Sequence, residues 1–237
     1  MLTRQSDVDE LLVEAAELLQ EIEGVYAGAI KNEDIIQIAR PKVKSCLEHL
    51  RSCLDYVAAD LSEITNSAKA PKYVYFPYGK DRKIYEKSLE KNLPDLHNKY
   101  KIILETIQPH KCGSNWLLHL CKTTNINKHT ELQRQDRIYS ENSVTQIGNL
   151  LKMEGSGSVT IGKLVIDGVH ANPKGPLILT KEKPVKEIRE EILLDIPIDR
   201  NYEWVKFVLK GTSLDIRELL VTAHSKISEL VLGIYGA

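Results

Sequence analysis

Two groups of polar side chains have the types and spacing that chemistry needs. Glu48, His49, Arg51, Ser52, Asp55 and Tyr56 fall within nine consecutive residues. If they are half buried on a helix, Arg51 becomes a fixed planar fork for phosphate. His49 could then move protons near neutral pH. The same spacings also suit simple ion pairs on a solvated helix face, since Glu48–Arg51 and Arg51–Asp55 are three and four residues apart. The second group is Asn125-Ile-Asn-Lys-His129, with Asn127, Lys128 and His129 as its polar members. A cation and an imidazole at a helix end can meet an anionic ligand. They also complement the negative end of the helix dipole without any ligand.

Other chemistries find no foothold. The chain has no phosphate loop, no G-x-G-x-x-G, no G-x-S-x-G and no H-E-x-x-H. No cofactor is expected. His110-x-Cys112 and His119-x-Cys121 offer nitrogen and sulfur of the kind zinc takes. On a helix, however, His119 and Cys121 point to different sides, and structural zinc prefers wider spacing within a ligand pair. No metal is expected either, and packed cysteines with surface histidines are the simpler reading.

The elements that must position these groups can be read from apolar spacing. A first helix is expected from Ser6, with Val8, Leu11, Ala15, Leu18 and Ile22 as its stripe and Gly24 as its stop. Pro41 suits the first turn of a long second helix reaching Asn66. Along it Val43, Leu47, Leu50, Leu54, Val57, Leu61 and Ile64 step by four and three, which predicts a continuous buried seam. Residues 67–80 read as a loop containing a short extended piece. A basic segment follows from Asp81 to Lys91, then a helix from Asn92 and Pro94 to Ile107, then a short helix from Asn115 to Thr124. Past residue 140 the pattern changes. Gly155-Ser-Gly-Ser158 reads as a turn or linker. Ile192–Ile198 alternates as a strand, Asp199–Tyr202 as a turn and Trp204–Leu209 as a second strand, with further pairing expected within 159–180. A last helix, Ser213 to Tyr235, carries Ile216, Leu220, Ala223, Ile227, Leu230 and Ile234.

The 237 residues carry 32 Lys/Arg against 33 Asp/Glu, a formal net charge of −1. The charge is unevenly spread. Residues 1–70 hold seven basic against thirteen acidic side chains, and residues 80–137 twelve against seven. The basic middle can face phosphate, an acidic partner, the acidic first helix or water. There is no run of apolar residues long enough for a membrane span, and Met1–Asp7 lacks the apolar core of a secretory signal. With four cysteines and no disulfide framework, the expected location is the cytoplasm, away from membranes.

Four segments carry a resemblance: Leu47-Glu-His-Leu-Arg-Ser-Cys-Leu-Asp-Tyr56, Phe76-Pro77, Ile107-Gln-Pro-His110 and Asn125-Ile-Asn-Lys-His129. They resemble a family of uncharacterised bacterial proteins in which the segments read approximately H-N-L-R-S-A-L-D-H, F-P, I-Q-P-Y and N-I-D-K-H-R. Order and spacing agree over residues 41–130. That family brings no activity with it. Its first segment is in turn similar to the R-x4-H signature of HEPN helical bundles, many of which are metal-independent ribonucleases acting as dimers in toxin–antitoxin or phage-defence systems. In those enzymes Arg and His cradle the scissile phosphate and move its protons. The Arg position is Arg51 here, but Tyr56 stands at the His position, Glu48 at the family's first His, Asn127 at its Asp and Thr130 at its second Arg. A tyrosine titrates near 10 and is a poor base at neutral pH.

The sequence therefore predicts a mainly α, α+β protein: an N-terminal antiparallel helical bundle over residues 1–140, then a small antiparallel β element and a C-terminal helix over 141–237, that helix packing back on the bundle. Two functions follow. One is a non-enzymatic HEPN-like binding protein in a bacterial defence or toxin–antitoxin setting, acting through a protein partner or a homodimer. The other is a metal-independent, toxin-like ribonuclease. It would use Arg51 with Tyr56, His49 or His129. Glu48, Asp55, Asn127, Lys128 and His129 are the expected binding residues.

Overall fold

A computed structural model of the chain describes residues 2–129 and 132–236, with the side chains of Lys128 and His129 outside the description. In chain order the elements are α1 (Gln5–Ala29), α2 (Arg40–Thr65), α3 (Arg82–Asn92), α4 (Asn98–Thr106), α5 (Pro109–Cys112), α6 (Trp116–His129), β1 (Gln135–Tyr139), β2 (Ser143–Ile147), β3 (Leu151–Glu154), β4 (Val159–Ile161), β5 (Val165–Ile166), β6 (Val169–His170), β7 (Leu177–Leu179), α7 (Val185–Glu191), β8 (Ile198–Tyr202), β9 (Val205–Leu209) and α8 (Ile216–Tyr235). The fold is α+β and mainly helical, as the apolar patterning predicts. It forms two compact units that interleave along the chain. One comprises residues 1–23, 39–134 and 209–237, the other residues 24–38 and 135–208. Residues 24–38 thus belong with the strands, and α8 belongs with the helices.

The first unit is built on α2. Pro41 sits in its first turn, where a missing N–H costs nothing. Asn66 ends it in the left-handed conformation, its N–H returning to the Ser62 carbonyl. Val43, Leu47, Leu50, Leu54, Val57 and Leu61 are buried along one side. Cys46 and Cys53 beside them turn their thiols to the carbonyls of Ala15 and Val8, so the small residues mark where α1 lies against α2. α8 packs on α2, α4 and α6, and all six residues of its expected stripe are buried. Burying a side chain of the Leu or Ile class stabilises by about 1.5–3 kcal/mol, so these stripes hold the bundle together.

Three helix boundaries differ from the spacing argument. α1 runs through Gly24 to Ala29, because Gly24 meets no steric demand and Tyr26 and Ala29 continue the buried side. Residues 93–97 are not helical, and α4 begins only where the His97 ring accepts from the Lys99 N–H. α6 extends past Thr124 to His129, where the Thr124 hydroxyl turns back to the Leu120 carbonyl.

In the second unit β2 pairs antiparallel with β3 and β8, β4 with β7, and β5 with β6, while β1 pairs with β9. Its core is Ile147, Met153, Ala171, Leu177, Leu179, Ile188, Ile192 and Ile198. The expected strand at 192–198 and turn at 199–202 are both displaced: the strand is Ile198–Tyr202. Pro197 has no N–H to give a ladder, so pairing starts after it. Alternate residues Ile198, Arg200 and Tyr202 are buried. Because the middle one is a charged arginine, the alternation is invisible to hydropathy. Gly155-Ser-Gly-Ser158 lies within this unit as the turn after β3, with Gly155 at a φ of 84°.

Candidate functional site

The expected site residues on α2 do not face one open cleft. Arg51 lies across its own helix and donates from Nε and Nη2 to the two carboxylate oxygens of Asp55, both at 3.1 Å. Its Nη1 donates to the Cys121 thiol of α6, and its guanidinium carbon stands 5.3 Å from the Tyr78 ring centroid. Only 12% of the side chain is exposed. Burial works against this charge, but Cys121, Asp55 and Tyr78 outweigh it and hold the Arg51 pKa above its usual value. The same burial pushes the Cys121 thiol up to about 11, so it is a neutral packing group at physiological pH. Tyr78 is also raised, by burial and by Cys121.

Glu48 turns away from Arg51 and pairs with Lys44 at 2.8 Å. His49 is half-buried. Tyr56 is 38% exposed, on the surface rather than beside the guanidinium fork. Asn127 accepts from the backbone N–H of Gln133 at 3.2 Å. Lys128 and His129 form the last two residues of α6, and their side chains lie outside the described residues.

Hydrogen bonds do draw the distant segments together. Asp55 Oδ1, already accepting from Arg51, also accepts from the Phe76 N–H at 2.9 Å. The neighbouring Pro77 carbonyl accepts from Gln108 Nε2 at 3.1 Å, and Gln108 Oε1 accepts from the Gly79 N–H at 3.3 Å. Gln108 is fully buried. Thus Leu47–Tyr56, Phe76-Pro77 and Ile107–His110 form one polar seam that pins residues 75–79, a stretch with neither helix nor ladder, to α2 and to the start of α5. Gly79 is required there: a Cβ would stand 2.2 Å from the Tyr85 nitrogen. What the arrangement does is hold backbone. The Nε and Nη2 edge of Arg51, which a two-point phosphate contact would use, is already taken by Asp55.

Several polar anchors escaped the sequence reading. Asp60 is buried, and one of its oxygens accepts from the Thr3 N–H and the Arg4 guanidinium (3.2 and 2.7 Å), the other from the Arg4 N–H and Tyr235 hydroxyl (3.0 and 2.9 Å). Its only sequence signal is a carboxylate inside an apolar helix face. In the second unit Arg200 donates to Thr145, Glu33 and the carbonyls of Thr180, Lys181 and Lys183. Glu33 also accepts from the Tyr202 hydroxyl at 2.6 Å and from the Val185 N–H at 2.8 Å. In the first unit a cavity of about 290 Å³, lined in part by Trp116, His119, Asp215 and Glu218, contains none of the expected site residues.

Among the described residues, no three His, Cys, Asp or Glu side chains are placed to share a metal ion, and no helix is long and apolar enough to cross a membrane. Comparison of the chain with protein-family models, with curated proteins and with solved structures finds no match.

Proposed function

We propose that this chain is a non-enzymatic binding protein with a HEPN-like helical bundle, serving a bacterial defence or toxin–antitoxin system by engaging a macromolecular partner. The observation that carries this reading is the commitment of Arg51. Its fork is closed on Asp55, backed by Cys121 and covered by Tyr78. A phosphate held at two points by Nε and Nη2 would have to displace Asp55, which at the same time would release the Phe76 N–H. Opening a partly buried charge-assisted network of this kind costs about 1.5–3 kcal/mol, a poor starting point for catalysis. The ribonuclease alternative, with Tyr56, His49 or His129 beside Arg51, requires that opening.

The test is direct. Purified protein is incubated with labelled single-stranded RNA over a range of pH, with and without chelator. The RNA is expected to stay intact, and Arg51→Ala is expected to lower the melting temperature without altering the RNA. Cleavage by the wild-type chain that disappears in a folded Arg51→Ala variant would defeat the proposal.

A further inference from the structure

The segment that Asp55 and Gln108 pin in place presents an unusual outer surface. Phe76, Pro77 and Gly79 are buried, whereas Tyr73 is 67% and Tyr75 59% exposed. The inner hydrogen bonds fix the outer rings. The Tyr75 N–H donates to Asn92 Oδ1 at 3.3 Å, which sets Tyr75 beside the end of α3. The Phe76 N–H donates to Asp55, which ties the next residue to α2. Tyr73 and Tyr75 therefore stand on a stretch of backbone that is anchored to α2 and α3 from its inner side.

The charge around them is predominantly positive. Residues 67–91 hold seven Lys/Arg against three Asp/Glu. Lys72 places its ammonium 5.4 Å from the Tyr73 ring centroid. Lys91 is exposed next to Asn92, which holds Tyr75. Lys72, Lys80, Lys83, Lys87 and Lys91 pair with no described carboxylate, whereas Lys69 leans on Asp95 and Arg82 on Glu86. Exposed tyrosine rings bordered by ammonium groups that pair with no described carboxylate match one partner chemistry well: bases that stack and phosphates that need neutralising.

We infer that Tyr73 and Tyr75, with Lys72 and Lys91 at their margin, form a binding surface for single-stranded nucleic acid. The inference rests on the binding-protein reading above and names its partner class. Tyr73 and Tyr75 are separate exposed rings, so each can receive a different base. Arg51 takes no part in contact; through Asp55 it positions the segment.

The test is fluorescence anisotropy with a short labelled oligouridylate, the matching DNA strand and an RNA duplex, using the full chain. Single strands are expected to bind, and more weakly as salt rises. Tyr73→Ala and Tyr75→Ala should each weaken binding about tenfold or more, while Tyr75→Trp, which keeps a ring, should retain it. Lys72→Gln should weaken binding and flatten the salt dependence. Equal affinity for RNA and DNA supports recognition by stacking and phosphate alone; a preference for RNA supports an added contact to the ribose hydroxyl. Circular dichroism confirms that each variant is folded. Absence of single-strand binding at low salt, equal binding of the duplex, or binding unchanged by the double Tyr73→Ala, Tyr75→Ala variant would each overturn the inference. None of these results bears on cleavage, so the binding-protein reading stands or falls separately.

Discussion

Arg51 and Arg200 are both arginines largely shielded from water that donate to a carboxylate, yet they hold different things. Arg200, with 1% of its side chain exposed, spends its donors on Glu33, on the Thr145 hydroxyl and on three backbone carbonyls between residues 180 and 183. It stitches a connection to a strand within the second unit. Arg51 has a single carboxylate partner on its own helix, a thiol and an aromatic ring. It reaches the rest of the first unit mainly through what Asp55 does next. One arginine holds backbone directly, and the other acts through a relay. The relay ends in the segment that carries the exposed Tyr73 and Tyr75, yet Arg51 itself only holds that segment, so a polar cluster with the spacing of an active site is not by that fact one.

The largest effect should come from Arg200→Met. It removes a buried cation and leaves the half-buried Glu33 carboxylate without its partner and three carbonyls without that donor, which costs about 3–5 kcal/mol. Urea denaturation can assign the loss. The chain has two tryptophans, Trp116 in the first unit and Trp204 in the second, so Trp116→Phe leaves a reporter of the second unit alone. A loss under 1 kcal/mol would show that the carbonyls find other donors.

Asp60 sets the scale for the first unit. Its partners are two backbone N–H groups, a guanidinium and two hydroxyls, and Asp60→Ala should cost about 2–3 kcal/mol. The pH dependence has a definite sign. Burial alone would raise the carboxyl pKa, but the bonds from Arg4, Tyr235 and Thr3 outweigh it and hold the pKa below the usual range. The stabilisation is therefore complete above the unfolded value of about 4 and is lost as pH falls through the lower folded value. Between pH about 5 and 2 the wild type should lose more stability than Asp60→Asn. Parallel curves would remove Asp60 as the cause. Gly79→Ala comes next, at about 1–3 kcal/mol, because its Cβ would strike the backbone of Tyr85. It should also loosen Tyr75, so nucleic-acid binding and melting temperature should fall together.

The helical part of this fold was legible because apolar spacing records it directly: the seam of α2 and the stripe of α8 are buried at almost every expected position. The strand at 198–202 was not, since Arg200 stands where hydropathy demands an apolar residue, and an arginine satisfied by carbonyls looks in sequence like one facing water. The α2 cluster was found as a set, but its roles were not. Spacing alone cannot choose between Glu48 and Asp55 as partner of Arg51; the choice is made by Phe76, whose N–H completes Asp55 from twenty-one residues away. Gln108 and Gly79 were illegible for the same reason, because their partners are backbone groups that no side-chain pattern encodes.

The smallest expected effect tests the comparison most closely: lysine in place of each arginine. A lysine ammonium keeps the charge but gives up the planar fork and its directed donors. At position 200 it cannot reach Thr145, Glu33 and three carbonyls at once, so Arg200→Lys should approach the loss seen with methionine. At position 51 it can still meet Asp55 across one helical turn and keep a cation near Tyr78, and it leaves the Asp55–Phe76 bond in place. Arg51→Lys should therefore cost only about 1 kcal/mol. It should leave oligouridylate affinity within about twofold, whereas Arg51→Ala should release Asp55 and weaken both stability and binding. If lysine at 51 proves as damaging as lysine at 200, the guanidinium itself and not the relay through Asp55 is what the first unit needs.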